Sequence, residues 1–226
     1  MTCLVLACGD APIPPRLAEL ATVTAPAVPT KPDFDELLPR LDELGERSPS
    51  APRLIVVGED AALAAALTRL MRSERLSVEL AYVTATRTAA TRLYRLPTGS
   101  PAADLAVLGQ AAPLPLVRDD SGTALVGLAS ITGPEGGELV GETYADSTRL
   151  FSGTVRSVRV APTLEAPGVR ATVGRGWGFL GPRWTSARAV QTGSTAAVVT
   201  RDGVTTPRSL KRCSFYRHPQ DWLLVR

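Results

Sequence analysis

Two patterns divide the chain. Long apolar runs and helix-spaced stretches alternate through the first half, and short segments between Gly and Pro turns fill the second. The runs Cys3–Cys8 (CLVLAC) and Arg53–Gly58 (RLIVVG) show no polar alternation, as expected of strands covered on both faces in a parallel sheet. Residues 21–28 (ATVTAPAV) and 77–86 (SVELAYVTAT) are further strand candidates. The stretch 14–20 (PPRLAEL) reads as a short helix with proline at its start. Within 31–52, Phe34, Leu37, Leu38, Leu41 and Leu44 recur at helical spacing, acids crowd the first turn, and Gly45 and Pro49 follow the end. Pro39 inside that pattern predicts a kink or a late start. Asp60 precedes an apolar-striped helix over 61–76 and reads as its cap. A short helix over 88–97 stops at Pro97, and another over 100–111 opens with Ser100 as cap and Pro101 in the first position.

Strand–helix alternation to about residue 112 predicts βαβ units. Beyond it, a hairpin is expected around Asp119-Asp120-Ser121-Gly122, then short strands within 149–165, 168–175, 186–218 and 221–226. Residues 133–141 (GPEGGELVG) read as a flexible connection. The fold class is therefore α/β: an N-terminal parallel-sheet α/β domain over 1–125, followed by an antiparallel β-rich domain over 126–226. The C-terminal strand is expected either in that second domain or returning to the first.

Charge sharpens this division. Residues 1–150 carry 13 basic and 19 acidic side chains, whereas residues 151–226 carry 12 and 3, so a net of −6 gives way to +9. The second part therefore carries a basic field. All basic residues but Lys31 and Lys211 are arginine, a bias that with abundant alanine points to a GC-rich bacterial genome rather than to a function. Cys3, Cys8 and Cys213 are odd in number and lack a CxxC spacing, and His218 is the one histidine. Reduced thiols and no metal site are expected. No apolar run approaches the ~18 residues of a membrane span, and the N-terminus lacks the basic start of a signal peptide. A cytoplasmic protein is expected.

The candidate chemistry starts at Gly58-Glu59-Asp60-Ala61-Ala62, where a buried strand turns into a helix. Such turns hold phosphate when bare backbone N–H groups face the ligand. Arg87 and Arg92, five residues apart near a helix start, are candidates for an anion, with a solvated helix face as the plainer reading. Arg208, Lys211 and Arg212 belong to the basic part, where Trp177, Phe179, Trp184, Phe215, Tyr216 and Trp222 are interleaved with arginines. That mixture suits stacking and phosphate contact, and equally suits the core of a small β domain. Cys213 beside Lys211 and Arg212 reads either as an activated thiol or as a half-buried strand cysteine.

The order of these features resembles the catalytic domain of diacylglycerol and related lipid kinases, in the ATP–NAD kinase-like superfamily. The family's Gly-Gly-Asp-Gly-Thr phosphate loop is similar in place to Gly58–Ala62, and its Pro-Leu-Gly-Thr-x-Asn-Asp-Phe-Ala-Arg motif to Val83–Arg92. Thr86, Arg92 and Pro97 fall at matching positions, as do Gln191, Asp202 and Gly203 in a C-terminal strand pair. The resemblance implies, for an active member, ATP with Mg²⁺ as cofactor, Gly58, Asp60 and Thr86 as phosphate contacts, and Asp202 near the cleft. The departures oppose that chemistry. Glu59 puts a carboxylate and Ala61 a methyl group where the family has glycine, and Thr88 and Ala89 replace its Asn-Asp pair. No Asp-Asp-Gly stands near Pro167-Gly168, and Val204 follows Asp202-Gly203 where lipid kinases often carry glutamate.

The expectation is a non-catalytic, pseudokinase-like protein with a regulatory or binding role, no catalytic residue, and no cofactor other than ATP with Mg²⁺ in prospect. An active ATP-dependent diacylglycerol, lipid or NAD kinase with divergent motifs is the alternative, and a polyanion-binding module the third. The partners expected are a protein or an anionic ligand held between the domains or on the basic face. Nucleic acid, an anionic membrane surface and a second copy of the chain are the alternatives.

Overall fold

The structure, a computed structural model, describes residues 2–47, 50–174 and 182–226. The first unit opens with β1 (Cys3–Cys8), β2 (Thr22–Ala25), α1 (Lys31–Asp35), α2 (Leu37–Glu46), β3 (Arg53–Val57) and α3 (Asp60–Arg72). It continues with β4 (Glu79–Val83), α4 (Ala89–Tyr94), α5 (Ser100–Leu108) and β5 (Ala111–Leu114). The second unit holds β6 (Val117–Asp119), β7 (Ala124–Leu125), β8 (Ala129–Thr132), β9 (Leu139–Ala145), β10 (Thr148–Val155) and β11 (Ser157–Pro162). After these come β12 (Val169–Gly174), β13 (Thr185–Ala187), β14 (Ala189–Arg201), β15 (Val204–Thr205) and β16 (Leu210–Arg217). The chain then returns to the first unit with β17 (Trp222–Val225). The compact units are Met1–Leu114 with Gln220–Arg226, and Pro115–Pro219, so the boundary lies nearer residue 114 than residue 125.

The first sheet has the order β2-β1-β3-β4-β17-β5, parallel except for the antiparallel β17–β5 pair. Every residue of β1 and β3 is buried, as continuous apolar runs require when both faces are covered. On one face, Val5, Ile55, Val57, Ala81 and Val83 pack against Ala102, Ala103 and Ala106 of α5. The small side chains of that helix let it approach the sheet closely. The pattern over 31–46 splits into α1 and α2, which explains Pro39: it sits in the first turn of α2, where a backbone N–H has no intrahelical acceptor to lose. Thr30 opens α1, donating its N–H and hydroxyl to Asp33 Oδ2 at 2.7 and 2.8 Å. The cap of α5 is Gly99, at φ +65°, rather than Ser100, which moves Pro101 to the second helical position.

Arg53 fastens this unit at the N-terminal end of its strands. Its Nε donates to Glu79 Oε2 at 2.8 Å, and its two amino groups donate to the carbonyls of Ala106, Val107 and Gly109 at 2.8, 3.1 and 3.0 Å. One guanidinium, 5% exposed, thus joins β3 to β4 and satisfies the last carbonyls of α5.

The second unit is antiparallel, built around the 13-residue β14. Its first half pairs with β9 and β16 and its second with β8 and β15, so the strand passes from one ladder to the next. Residues 133–141 are not a loose connection: Pro134–Gly136 form a 3-10 turn, and β9 begins at Leu139. Gly141 is demanded by packing, since a Cβ there would lie 2.0 Å from the Gly193 carbonyl of β14. Asp119 holds the β6–β7 hairpin: its Oδ1 accepts from the Thr123 N–H at 2.8 Å and the Ser121 hydroxyl at 2.7 Å, and it pairs with Arg201. Val158, Val160, Val190, Val199 and Phe215 belong to the core of this unit.

Arg53→Ala should cost about 3 kcal/mol, because it strands Glu79 and leaves three carbonyls without a donor. In urea unfolding the midpoint falls while the slope is unchanged; an unchanged midpoint refutes the clamp.

Candidate functional site

A cavity of about 300 Å³ opens at the C-terminal ends of β1, β3 and β4 in the first unit. Ligands of open α/β sheets bind at this end of the strands. Its walls are Ala11–Pro15 from the loop after β1, Val57-Gly58-Glu59, Val83-Thr84-Ala85, and Gly99-Ser100. The sequence reading had not singled out Ala11–Pro15, Thr84 or Ala85. The one available signal was the proline cluster 12, 14 and 15, a stiff segment directly after a buried strand.

The loop 58–62 meets this cavity with its glycine N–H and its aspartate carboxylate already engaged. The Gly58 N–H donates to the Val83 carbonyl at 3.0 Å. A Cβ on Gly58 would come within 3.0 Å of Cys8 Cβ and 3.1 Å of Ala62 Cβ, so glycine here serves the packing of β1 against α3. Asp60 is buried, and both its oxygens have protein partners. Oδ1 accepts from the Tyr82 hydroxyl at 3.0 Å, and Oδ2 accepts from the Ala90 N–H at 3.0 Å. The expected cap therefore exists on a different helix: Asp60 caps α4, not the α3 that it opens. Burial, then the Asp60 charge, push the Tyr82 pKa up, so the phenol stays protonated as the donor. Glu59 is exposed on the cavity wall, and its Oε1 accepts from the Thr86 hydroxyl at 3.4 Å.

The remaining candidates are scattered. Thr86 and Arg87 are exposed in the turn after β4, and Arg92 lies on α4, its guanidinium donating to the Arg87 carbonyl at 3.3 Å. The first turn of α4 has its own acceptors, since Asp60 takes the Ala90 N–H and Thr88 Oγ1 takes the Thr91 N–H at 3.1 Å. Arg208 is exposed before β16; Lys211 and Arg212 are consecutive, exposed residues of that strand and so project to opposite faces. Arg170 stacks 4.6 Å from the centre of the Trp184 ring with Arg159 at 5.8 Å, and Arg118 lies 4.7 Å from that of Tyr216. Trp177 and Phe179 lie outside the described residues. Asp202 is buried at φ +47°: Oδ1 accepts from the N–H groups of Gly127 and Leu128 at 2.8 and 3.0 Å, and Oδ2 from Val126 at 3.0 Å. It is a turn-holding acceptor within the second unit.

The activated-thiol reading of Cys213 fails. The residue is 2% exposed, and burial, with Asp120 adding to it, pushes its pKa up to about 12 despite Lys211 and Arg212 beside it in sequence. Cys8 is likewise pushed to about 12, by burial first and then by the Asp33 charge. Among the described residues no group of three or more His, Cys, Asp or Glu side chains is placed to hold a metal ion. No helix among them is long and apolar enough to cross a membrane.

ATP with Mg²⁺ does not fit the residues present. A phosphate loop needs free N–H groups and a carboxylate able to reach a metal ion; here the Gly58 N–H and the Asp60 carboxylate are spent inside the protein, and Glu59 adds repulsion.

No protein-family model matches the sequence, and no curated protein does. Solved structures do. A diacylglycerol kinase from Bacillus anthracis str. Sterne superposes with a TM-score of 0.67 at 13% identity, over 99% of this chain and 96% of that one. An NAD kinase from Archaeoglobus fulgidus in complex with ATP gives 0.59 at 11% identity, over 100% and 94%. The chain thus has the two-unit fold shared by diacylglycerol and NAD kinases, the fold that its motif order resembles. At these identities the likeness is one of fold.

Asp60→Ala should cost about 1–3 kcal/mol, since it removes the acceptor of the buried Ala90 N–H and one of the partners of the Tyr82 phenol, which also meets Thr84 and Thr88. The loss is read as a lower melting temperature; full stability would mean that the carboxylate serves something other than the fold. Cys8 and Cys213 should resist a thiol-specific reagent at pH 8 until guanidinium unfolds the chain. Their folded pKa values lie above the unfolded value of about 8.5, so the stability they contribute is complete below that pH. It is lost as pH climbs toward about 12. A double variant, Cys8→Ala with Cys213→Ala, should flatten the decline in stability over that window; an unaltered decline contradicts the assignment.

Proposed function

We propose that this chain is a non-catalytic relative of the lipid and NAD kinases: a binding protein that uses the strand-end cavity of its first unit without transferring phosphate. The observation that carries this reading is the fate of Asp60. At the position corresponding to the aspartate of the family's phosphate loop, it spends one oxygen on Tyr82 and the other on Ala90. Phosphoryl transfer rests on positioning and charge stabilisation by metal, base and donors. The supports for this reading add up in one place. The loop carboxylate is engaged, a second carboxylate stands where glycine would admit phosphate, and the Asn-Asp pair is replaced by Thr88 and Ala89. Losing a single electrostatic donor commonly costs about 3 kcal/mol in a transition state, so three losses remove most of a kinase's rate.

The site is then one for recognition, and the role is regulatory or carrier-like. A kinase ancestor explains the shape of the cavity, and its present lining sets what it holds.

The test is titration with Mg-ATP, followed by melting temperature and by ADP release with diacylglycerol or NAD as acceptor. A nucleotide at 100 times its Kd would add about 2.7 kcal/mol of stability, a rise of several degrees in a chain of this size. The expected result is no shift and no ADP. Saturable stabilisation with acceptor-dependent ADP release establishes the active alternative.

A further inference from the structure

The lining of the strand-end cavity specifies the sign of what it binds. Its walls are hydrocarbon: Pro12, Ile13, Pro14, Val57, Val83 and Ala85. Thr84 and Ser100 add hydroxyl groups, and among the described residues Glu59 is the one charged residue of the lining; Arg16, next to Pro15, pairs with Asp104, and Arg87 stands two residues beyond Ala85. Asp10, next to Ala11 in the same loop, is exposed and adds a second acid at the approach.

The opposing influences are the N-termini of α3, which begins one residue after Glu59, and of α5, whose Gly99 and Ser100 line the same cavity. Each helix start offers about half a positive charge, spread over several backbone N–H groups. The two offset the carboxylate at a distance, so the contact itself decides: the Glu59 oxygens are localised acceptors, and their complement is a charged N–H donor. Glu59 does not cap α3 with its side chain, so the carboxylate is not committed to the helix N–H groups. Its one recorded side-chain contact, to the Thr86 hydroxyl at 3.4 Å, is long for an O–H···O bond. Ile13, 39% exposed, forms part of the wall as an apolar surface open to a ligand.

We infer that the cavity binds a small apolar amine: a hydrocarbon body against the proline-rich wall, and a protonated primary or secondary nitrogen donating to Glu59. Among the described residues the lining has no aromatic ring of the kind that cages quaternary ammonium ions. An N–H donor is what a carboxylate with Thr84 and Ser100 nearby can recognise. The cavity is at the small end of ligand sites, which run from about 300 to 1,000 Å³. This inference rests on the non-catalytic reading, because a triphosphate in the same place would require the reverse charge.

Three probes of one shape decide it: phenethylamine, 2-phenylethanol and phenylacetate, titrated by ¹H–¹⁵N NMR into the full chain at pH 7, with Mg-ATP as a fourth. The amine should bind at least tenfold more tightly than the carboxylate, with shifts confined to the amides of Ala11, Ile13 and residues 57–59, 83–85 and 99–100. The alcohol should fall between them. Glu59→Gln should weaken the amine about tenfold and leave the alcohol unchanged. Ala85→Trp, which fills the mouth from an exposed turn position, should abolish all binding. Equal affinity for phenylacetate, an unaltered amine affinity in Glu59→Gln, or no binding of any probe overturns the inference. With Mg-ATP also silent, those results leave the non-catalytic reading standing. Binding of Mg-ATP with shifts at residues 57–59 overturns both.

Discussion

The tie made by Asp60 is the constraint on which the site depends. A carboxylate in the first turn of α3 joins the phenol of Tyr82 on β4 and the second residue of α4. Two of these three positions are adjacent to cavity wall: Gly58 and Glu59 precede Asp60, and Val83 and Thr84 follow Tyr82. The bond thus fixes the starts of α3 and α4 against β4, beside the loops that wall the cavity. Release of the carboxylate toward solvent, as metal binding requires, would take the acceptor from the buried Ala90 N–H and a partner from the Tyr82 phenol. Chemistry and architecture compete for the same two oxygens, and in this chain architecture holds them.

The second unit shows the same economy. Asp202 accepts three consecutive backbone N–H groups at 126–128, Asp146 those of Arg188 and Ala189, and Asp119 that of Thr123. Concave runs of backbone N–H bind anions. An aspartate supplied by the chain occupies such a place without losing the translational freedom that a free phosphate must give up on binding. A carboxylate fixed in the protein thereby excludes a free anion from the same N–H groups. The acids of these turns therefore serve folding.

Legibility in the sequence followed the range of the interaction. Buried strands such as Cys3–Cys8 and Arg53–Val57 announce themselves, because burial on both faces leaves no polar position to interrupt the run. The Asp119–Gly122 hairpin is legible for the same local reason: turn residues hold one another across four positions. The destination of Asp60 was not legible, since its partners lie 22 and 30 residues away and nothing near Asp60 names them. Arg53 looked like the first residue of a strand; only the approach of α5, more than 50 residues on, turns it into a helix cap. The final strand carries a plain apolar run, and its place between β4 and β5 is a matter of topology rather than composition. In the site, the residue differences at 59, 61, 88 and 89 were visible as chemistry. The proline-lined wall was invisible, because a cavity is made by loops that diverge in space.

That divergence is why a cavity forms at this end of the sheet. Parallel strands end together, and their connections leave toward helices on opposite faces, so a crevice opens there whatever side chains line it. Its shape is a property of the fold, and its occupant is chosen by the lining. Removing Glu59 alone would not return the crevice to phosphate. The Gly58 N–H would still belong to Val83, the Asp60 oxygens to Tyr82 and Ala90, and the walls would still be proline and aliphatic carbon. Recovery of a phosphate site would need the Asp60 tie undone and the fold stabilised some other way at the same time. On the proposed reading, two changes must come together, and the first is destabilising by itself.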